Sequence, residues 1–143
     1  MRKWNNLLAR VIILLFLLHA LMGSLMLLGI STITLKPLSW LLFGVVSLHG
    51  IFGIISTIPS IRTARKTGQW FLKENAAFWT KRISGIAILL LLSLHITAYT
   101  TSVNGKFFLK EFTMCRMIAQ ILLILSIFIH LMVGIRSMLI AKG

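Results

Sequence analysis

Four apolar runs, each close to twenty residues or longer, constrain this chain more than any other feature. They fall at roughly 8–30, 38–61, 83–100 and 116–140. A helix of about 20 apolar residues spans the ~30 Å hydrocarbon core of a bilayer. In that medium the backbone must satisfy its own hydrogen bonds, so each crossing is read as an α-helix. Composition agrees: 58% of the residues are hydrophobic and the mean hydropathy is +0.97. In 143 residues, four crossings leave no length for a soluble catalytic domain. The expected fold is all-α, an integral membrane four-helix bundle that makes residues 1–143 a single transmembrane domain.

Fifteen Lys and Arg face only two acids, Glu74 and Glu111, for a net charge of +13. Such an excess can serve nucleic acid, but here the cations form neither a helical stripe nor an aromatic-studded groove. They gather at the ends of the apolar runs, which is membrane topology. The N-terminus carries Arg2, Lys3 and Arg10 beside Trp4, and the longest polar segment, Arg62 to Arg82, carries Arg62, Arg65, Lys66, Lys73, Lys81 and Arg82. The positive-inside rule places both of these, and the end at Lys142, in the cytoplasm, with the chain in the inner (cytoplasmic) membrane. The short link Ser31 to Pro37 and the loop Thr101 to Thr113 then lie outside. Trp70, Phe71, Phe78 and Trp79 suggest that part of the cytoplasmic loop rests among lipid headgroups. The first run is too long for a cleaved signal peptide and lacks an Ala-x-Ala site. Pro59 falls near the exit of the second run, where a missing amide costs least.

The histidines turn this topology toward chemistry. There are four, and each apolar run holds one: His19, His49, His95 and His130. His95 is read as lying deep in the stretch Phe78 to Thr100. An imidazole inside a membrane helix is expensive and is read as functional by default. A lone one is equally well read as polar glue between helices. One in each of four helices, with no Asp, Glu or Asn in any span, is harder to explain that way. Paired neutral imidazoles on iron, as in bis-histidine b-type haem, use the ring lone pairs and leave the second nitrogen for a helix carbonyl or hydroxyl. Four ligands then imply two haems. A small residue follows three of the histidines at a spacing of four, Gly23, Gly53 and Gly134, and Ala98 follows His95 at a spacing of three. Residues four apart share a helical face, so the surface beside each imidazole is stripped of bulk, either for a flat macrocycle or for close helix packing. A four-histidine zinc site is a weaker competitor, since structural zinc usually recruits cysteine. Cys115 is alone, which excludes an internal disulfide, and no C-x-x-C-H is present for covalent c-type haem. Lys81, Arg82 and Arg136 stand where propionates need cations, although lysine and arginine near span ends also snorkel to lipid phosphate. Arg136, six residues past His130, is expected well inside the last span.

Trp79-Thr80-Lys81-Arg82-Ile83-Ser84-Gly85-Ile86 resembles the aromatic-Arg-x-Ser/Thr-Gly helix start of cytochrome b anchor subunits in succinate dehydrogenase and fumarate reductase. His130-x3-Gly134-Ile135-Arg136 is similar to a haem-ligand helix of that superfamily. The layout looks like the single-chain dihaem anchors, whose ligands come from helices one, two, four and five. The non-ligand third helix is missing here, its place taken by the Arg62–Arg82 loop. The resemblance implies haem contacts for Trp79, Lys81, Arg82, Ser84 and Arg136. It implies a flavoprotein and an iron–sulfur subunit as partners at the cytoplasmic face, with membrane quinone as a possible second redox partner. It also implies the pairing His19 with His95 on an outer haem and His49 with His130 on an inner one. Depth reasoning points the same way, because His95 and His130 are expected to differ by several ångströms along the membrane normal. No span carries a carboxylate, so the quinone-site and proton-path glutamates of some dihaem members have no counterpart. Two other readings stand beside this one: a cytochrome b anchor for another flavin reductase or a hydrogenase, and a non-redox structural or transport bundle.

Overall fold

The computed structural model describes residues 2–31, 33, 35–97, 99–104, 106–109 and 113–140. Ala98, Lys110, Glu111 and Lys142 lie outside the described residues. Four helices carry the fold: α1 Arg2–Leu27, α2 Lys36–Thr67, α3 Ala76–Thr97 and α4 Met114–Ile140. Each is long and apolar enough to cross a membrane. Large aliphatic side chains point outward along all of them; Leu14, Leu90 and Ile124 are each more than 60% exposed. A water-soluble domain does not present apolar surface on that scale.

The helices overrun the apolar stretches that mark them. α1 begins at Arg2 rather than near residue 8. α2 continues through Arg62, Arg65 and Lys66, and α3 begins at Ala76. Most of the segment read as a loop, Arg62 to Arg82, is therefore helical, and only residues 68–75 lie between the helices. Hydropathy marks the lipid-facing length and not the helix end. Arg65 and Lys66 in the last turn of α2 also complement the negative end of the helix dipole. Pro59 is accordingly inside α2 and not near its exit.

α3 stops earlier than expected. It ends at Thr97, so His95 sits two residues from its C-terminus instead of deep within a span. The chain there turns into an antiparallel hairpin, β1 Tyr99–Val103 with β2 Lys106–Leu109, in the segment read as an irregular outer loop. Val103 pairs with Lys106 across Asn104-Gly105, and Asn104 has φ +52°. Asn-Gly between Thr/Val- and Phe-rich stretches is the usual two-residue hairpin signal, and positive φ at its first position is what that turn requires. All the membrane-length elements remain helical.

The chain divides at Pro59 into two compact units, 1–58 and 59–143. In the first, α1 and the first part of α2 meet through His19 and Ser39, and Met22 and Met26 line a small cavity with Leu35 and Leu38. In the second, α3 and α4 run antiparallel and pack along their length, with His95 opposite Gln120, Ser84 opposite His130 and Lys81 opposite Ser137. The buried aliphatics of α4, Ala119 and Leu123, fall on the helical face that carries His130 and Ser137.

Candidate functional site

All four histidines are half-buried. Three of them reach a polar side chain on the neighbouring helix, and each does so through Nδ1. His95 Nδ1 is 2.7 Å from Gln120 Oε1, His130 Nδ1 is 3.0 Å from Ser84 Oγ, and His19 Nδ1 is 3.2 Å from Ser39 Oγ. His49 lies midway along α2. Sequence reading missed Ser39 and Gln120. Gln120 was visible as the only glutamine inside an apolar run; Ser39 carries no signal that separates it from other membrane serines.

These contacts fix depth within each unit. Gln120 and His130 are ten residues apart on α4, so His95 and His130 lie at levels about 15 Å apart along the helix pair. Ser39 and His49 are likewise ten residues apart on α2, so His19 and His49 differ by about the same 15 Å. Each unit thus presents one imidazole near its connecting turn and a second about 15 Å away. The separation is larger than the several ångströms expected for His95 and His130, because α3 ends sooner.

The small residues behave unevenly. A Cβ added at Gly23 or Gly134 would meet no atom within 4 Å, so neither glycine is packed closely against its partner helix within its own unit. Gly53 gives its carbonyl to the hydroxyls of Ser56 and Thr57. The glycine that does touch an imidazole is Gly85, where a Cβ would stand 3.3 Å from His130 Cε1. It follows directly on Ser84, so one turn of α3 both bonds the ring and makes room for it. Substituting Gly85 separates these effects. Gly85→Ala should be nearly neutral, because a helix-propensity gain of about 1 kcal/mol offsets the crowding. Gly85→Val should cost about 1–3 kcal/mol by overpacking, read as a lower midpoint of unfolding in detergent.

The cations gather at the same end of the α3–α4 pair as His130. Lys81 Nζ donates to Ser137 Oγ at 3.1 Å, and the Arg82 guanidinium lies over the Phe78 ring at 5.0 Å. Arg136 is exposed and lies four residues before the end of α4 at Ile140. Trp79 packs at 5.9 Å on Trp70 and edge-on to Phe78 at 5.2 Å. These rings wall a cleft of about 430 Å³ between the end of α2, residues 68–75 and the start of α3, with Ser60, Thr63, Thr67 and Asn75 supplying polar atoms. Phe71, on the same wall, has φ +44°, a left-handed backbone that a bulky residue rarely adopts.

Among the described residues no three His, Cys, Asp or Glu side chains come together as a metal-binding group, which gives the four-histidine zinc reading no support. Comparison with protein-family models, curated proteins and solved structures finds no match for this chain.

Proposed function

We propose that this chain is a dihaem cytochrome b membrane anchor of the succinate dehydrogenase and fumarate reductase type. The observation that carries the reading is one imidazole in every membrane helix, at two levels about 15 Å apart within each unit. Two imidazole nitrogens that shared one iron would have to stand within about 4 Å of each other. His95 and His130 are too far apart to share an iron, and so are His19 and His49. Each haem would then take one histidine from each unit, and of the two such pairings the resemblance to the dihaem anchors implies His19 with His95 and His49 with His130.

The residues suit such a group. The bonds at Nδ1 hold the rings by the nitrogen that would not ligate, as metal-bound histidines are usually held. Gly23 and Gly134 leave the helix surface bare one turn from His19 and His130. Haem held by two histidines supplies one-electron transfer and has no open coordination position for oxygen. Around it the chain's own side chains do the rest. Ser84 and Gly85 seat His130, while Lys81, Arg82 and Arg136 offset propionate charge beside that end of the pair. The cleft under Trp70 and Trp79 has the aromatic walls and hydroxyl rim that suit a quinone head. The cation-rich end faces the cytoplasm, where a flavoprotein and an iron–sulfur subunit dock, and an even number of crossings returns both termini to that side.

The same Nδ1 bonds also favour a second reading, in which the histidines only join helix to helix. The dithionite-reduced protein decides between them. A low-spin b-type spectrum with about two haems per chain is expected from two bis-histidine pairs. A colourless, folded protein leaves only the structural reading. A neighbouring reading frame for a flavoprotein and a cysteine-rich subunit separates this anchor from that of a hydrogenase or another flavin reductase.

A further inference from the structure

The geometry points to Gln120 and Ser84 as positioning residues that set which ring nitrogen His95 and His130 offer to a metal, and how strongly. This deepens the haem reading and rests on it. The direction of each bond follows from proton supply. The Gln120 carboxamide oxygen has no hydrogen, so at 2.7 Å it can only accept, and His95 Nδ1 carries the proton. Ser84 has a single hydroxyl proton, and that proton is engaged by backbone. Its Oγ lies 2.6 Å from the Thr80 carbonyl and 3.4 Å from that of Lys81. What Ser84 turns toward His130 is therefore a lone pair, and His130 Nδ1 donates to it at 3.0 Å. Both rings are held as the tautomer whose lone pair is on Nε2. Ser84 is only 6% exposed, so water does not compete for its oxygen.

The consequence is electronic as well as orientational. An Nδ1–H that donates to an acceptor moves electron density into the ring and makes Nε2 the stronger base. A stronger axial base favours ferric over ferrous iron. Removing the acceptor should therefore raise the potential of the haem that uses that histidine, and a carboxylate acceptor should lower it. Ser39, 3.2 Å from His19 Nδ1, stands in the same relation to a third ring.

Two measurements on the purified full chain test this. Histidine-selective 15N spectra read the tautomers directly, with or without haem. The expected result is protonated Nδ1 at His95 and His130; Nε2–H at either overturns the assignment for that ring. Redox titration then reads the coupling. Gln120→Leu should shift the ferric-to-ferrous equilibrium of one haem about tenfold toward ferrous, a rise of about 59 mV for a one-electron couple. Gln120→Glu should shift the same haem the other way. Ser84→Ala should raise the other haem alone, with two haems retained in each variant. A Leu and Glu pair that moves together or not at all overturns the positioning role, as does a Ser84→Ala shift on the Gln120-linked haem. A colourless protein instead defeats the haem reading, and the 15N spectra still decide the tautomers.

Discussion

His130→Ala should abolish one of two b-type spectral components and leave the other at its original potential. His49→Ala should abolish the same component, whereas His19→Ala and His95→Ala should each remove the remaining one. The effect is expected to be all-or-none in haem content, close to one haem lost of two. A haem that lost one of its two imidazoles would be held by a single histidine. Within-unit geometry excludes two alternatives outright. His95 and His130, or His19 and His49, would have to close a gap of about 15 Å to share one iron. The remaining alternatives are His19 with His130 and His49 with His95. Reduced-minus-oxidised spectra during potentiometric titration of the four variants distinguish them. If His19→Ala and His130→Ala strike the same component, the pairing is refuted while the cytochrome survives.

What could be read from the sequence followed the strength of the physical signal. The four helices were legible because lipid imposes one periodic, long and apolar solution on each crossing. Their ends were not, because charged residues such as Arg65 and Lys66 extend a helix while ending its apolar stretch. One such end carried into the site: His95 was placed too deep, because α3 stops at Thr97. The hairpin after α3 has its sequence signal in Asn104-Gly105, which the reading of Thr101 to Thr113 as an outer loop passed over. The histidines themselves, Ser84 and the cations of α3 stood out by residue type. Their partners did not. That Gln120 meets His95, or that Gly85 and not Gly134 touches His130, depends on the register between two helices. A one-residue change in that register turns the contact away, and no local pattern in either helix records it.

A cysteine introduced at Lys66 should react with an impermeant thiol reagent only after the membrane is opened, and one introduced at Lys106 should react in intact cells. Cys115 is exposed, so the experiment needs a Cys115→Ser background. The expectation rests on charge. Arg62, Arg65, Lys66, Lys73, Lys81 and Arg82 crowd the end of α2 and the start of α3, against only Lys106, Lys110 and Glu111 in the segment between α3 and α4. Each lysine or arginine near the bilayer centre costs a few kcal/mol, and the bias between short loops sets orientation. Labelling should therefore be nearly complete at one position and absent at the other. The functional consequence is direct. If the α2–α3 end is cytoplasmic, His130, Ser84 and the Lys81–Ser137 bond lie on the side where the proposed function would have soluble electron donors approach. Binding of those partners should then protect residue 66 from the reagent in opened membranes. Labelling of residue 66 and not 106 in intact cells would invert the protein and place the His95 end of the α3–α4 pair toward the cytoplasm.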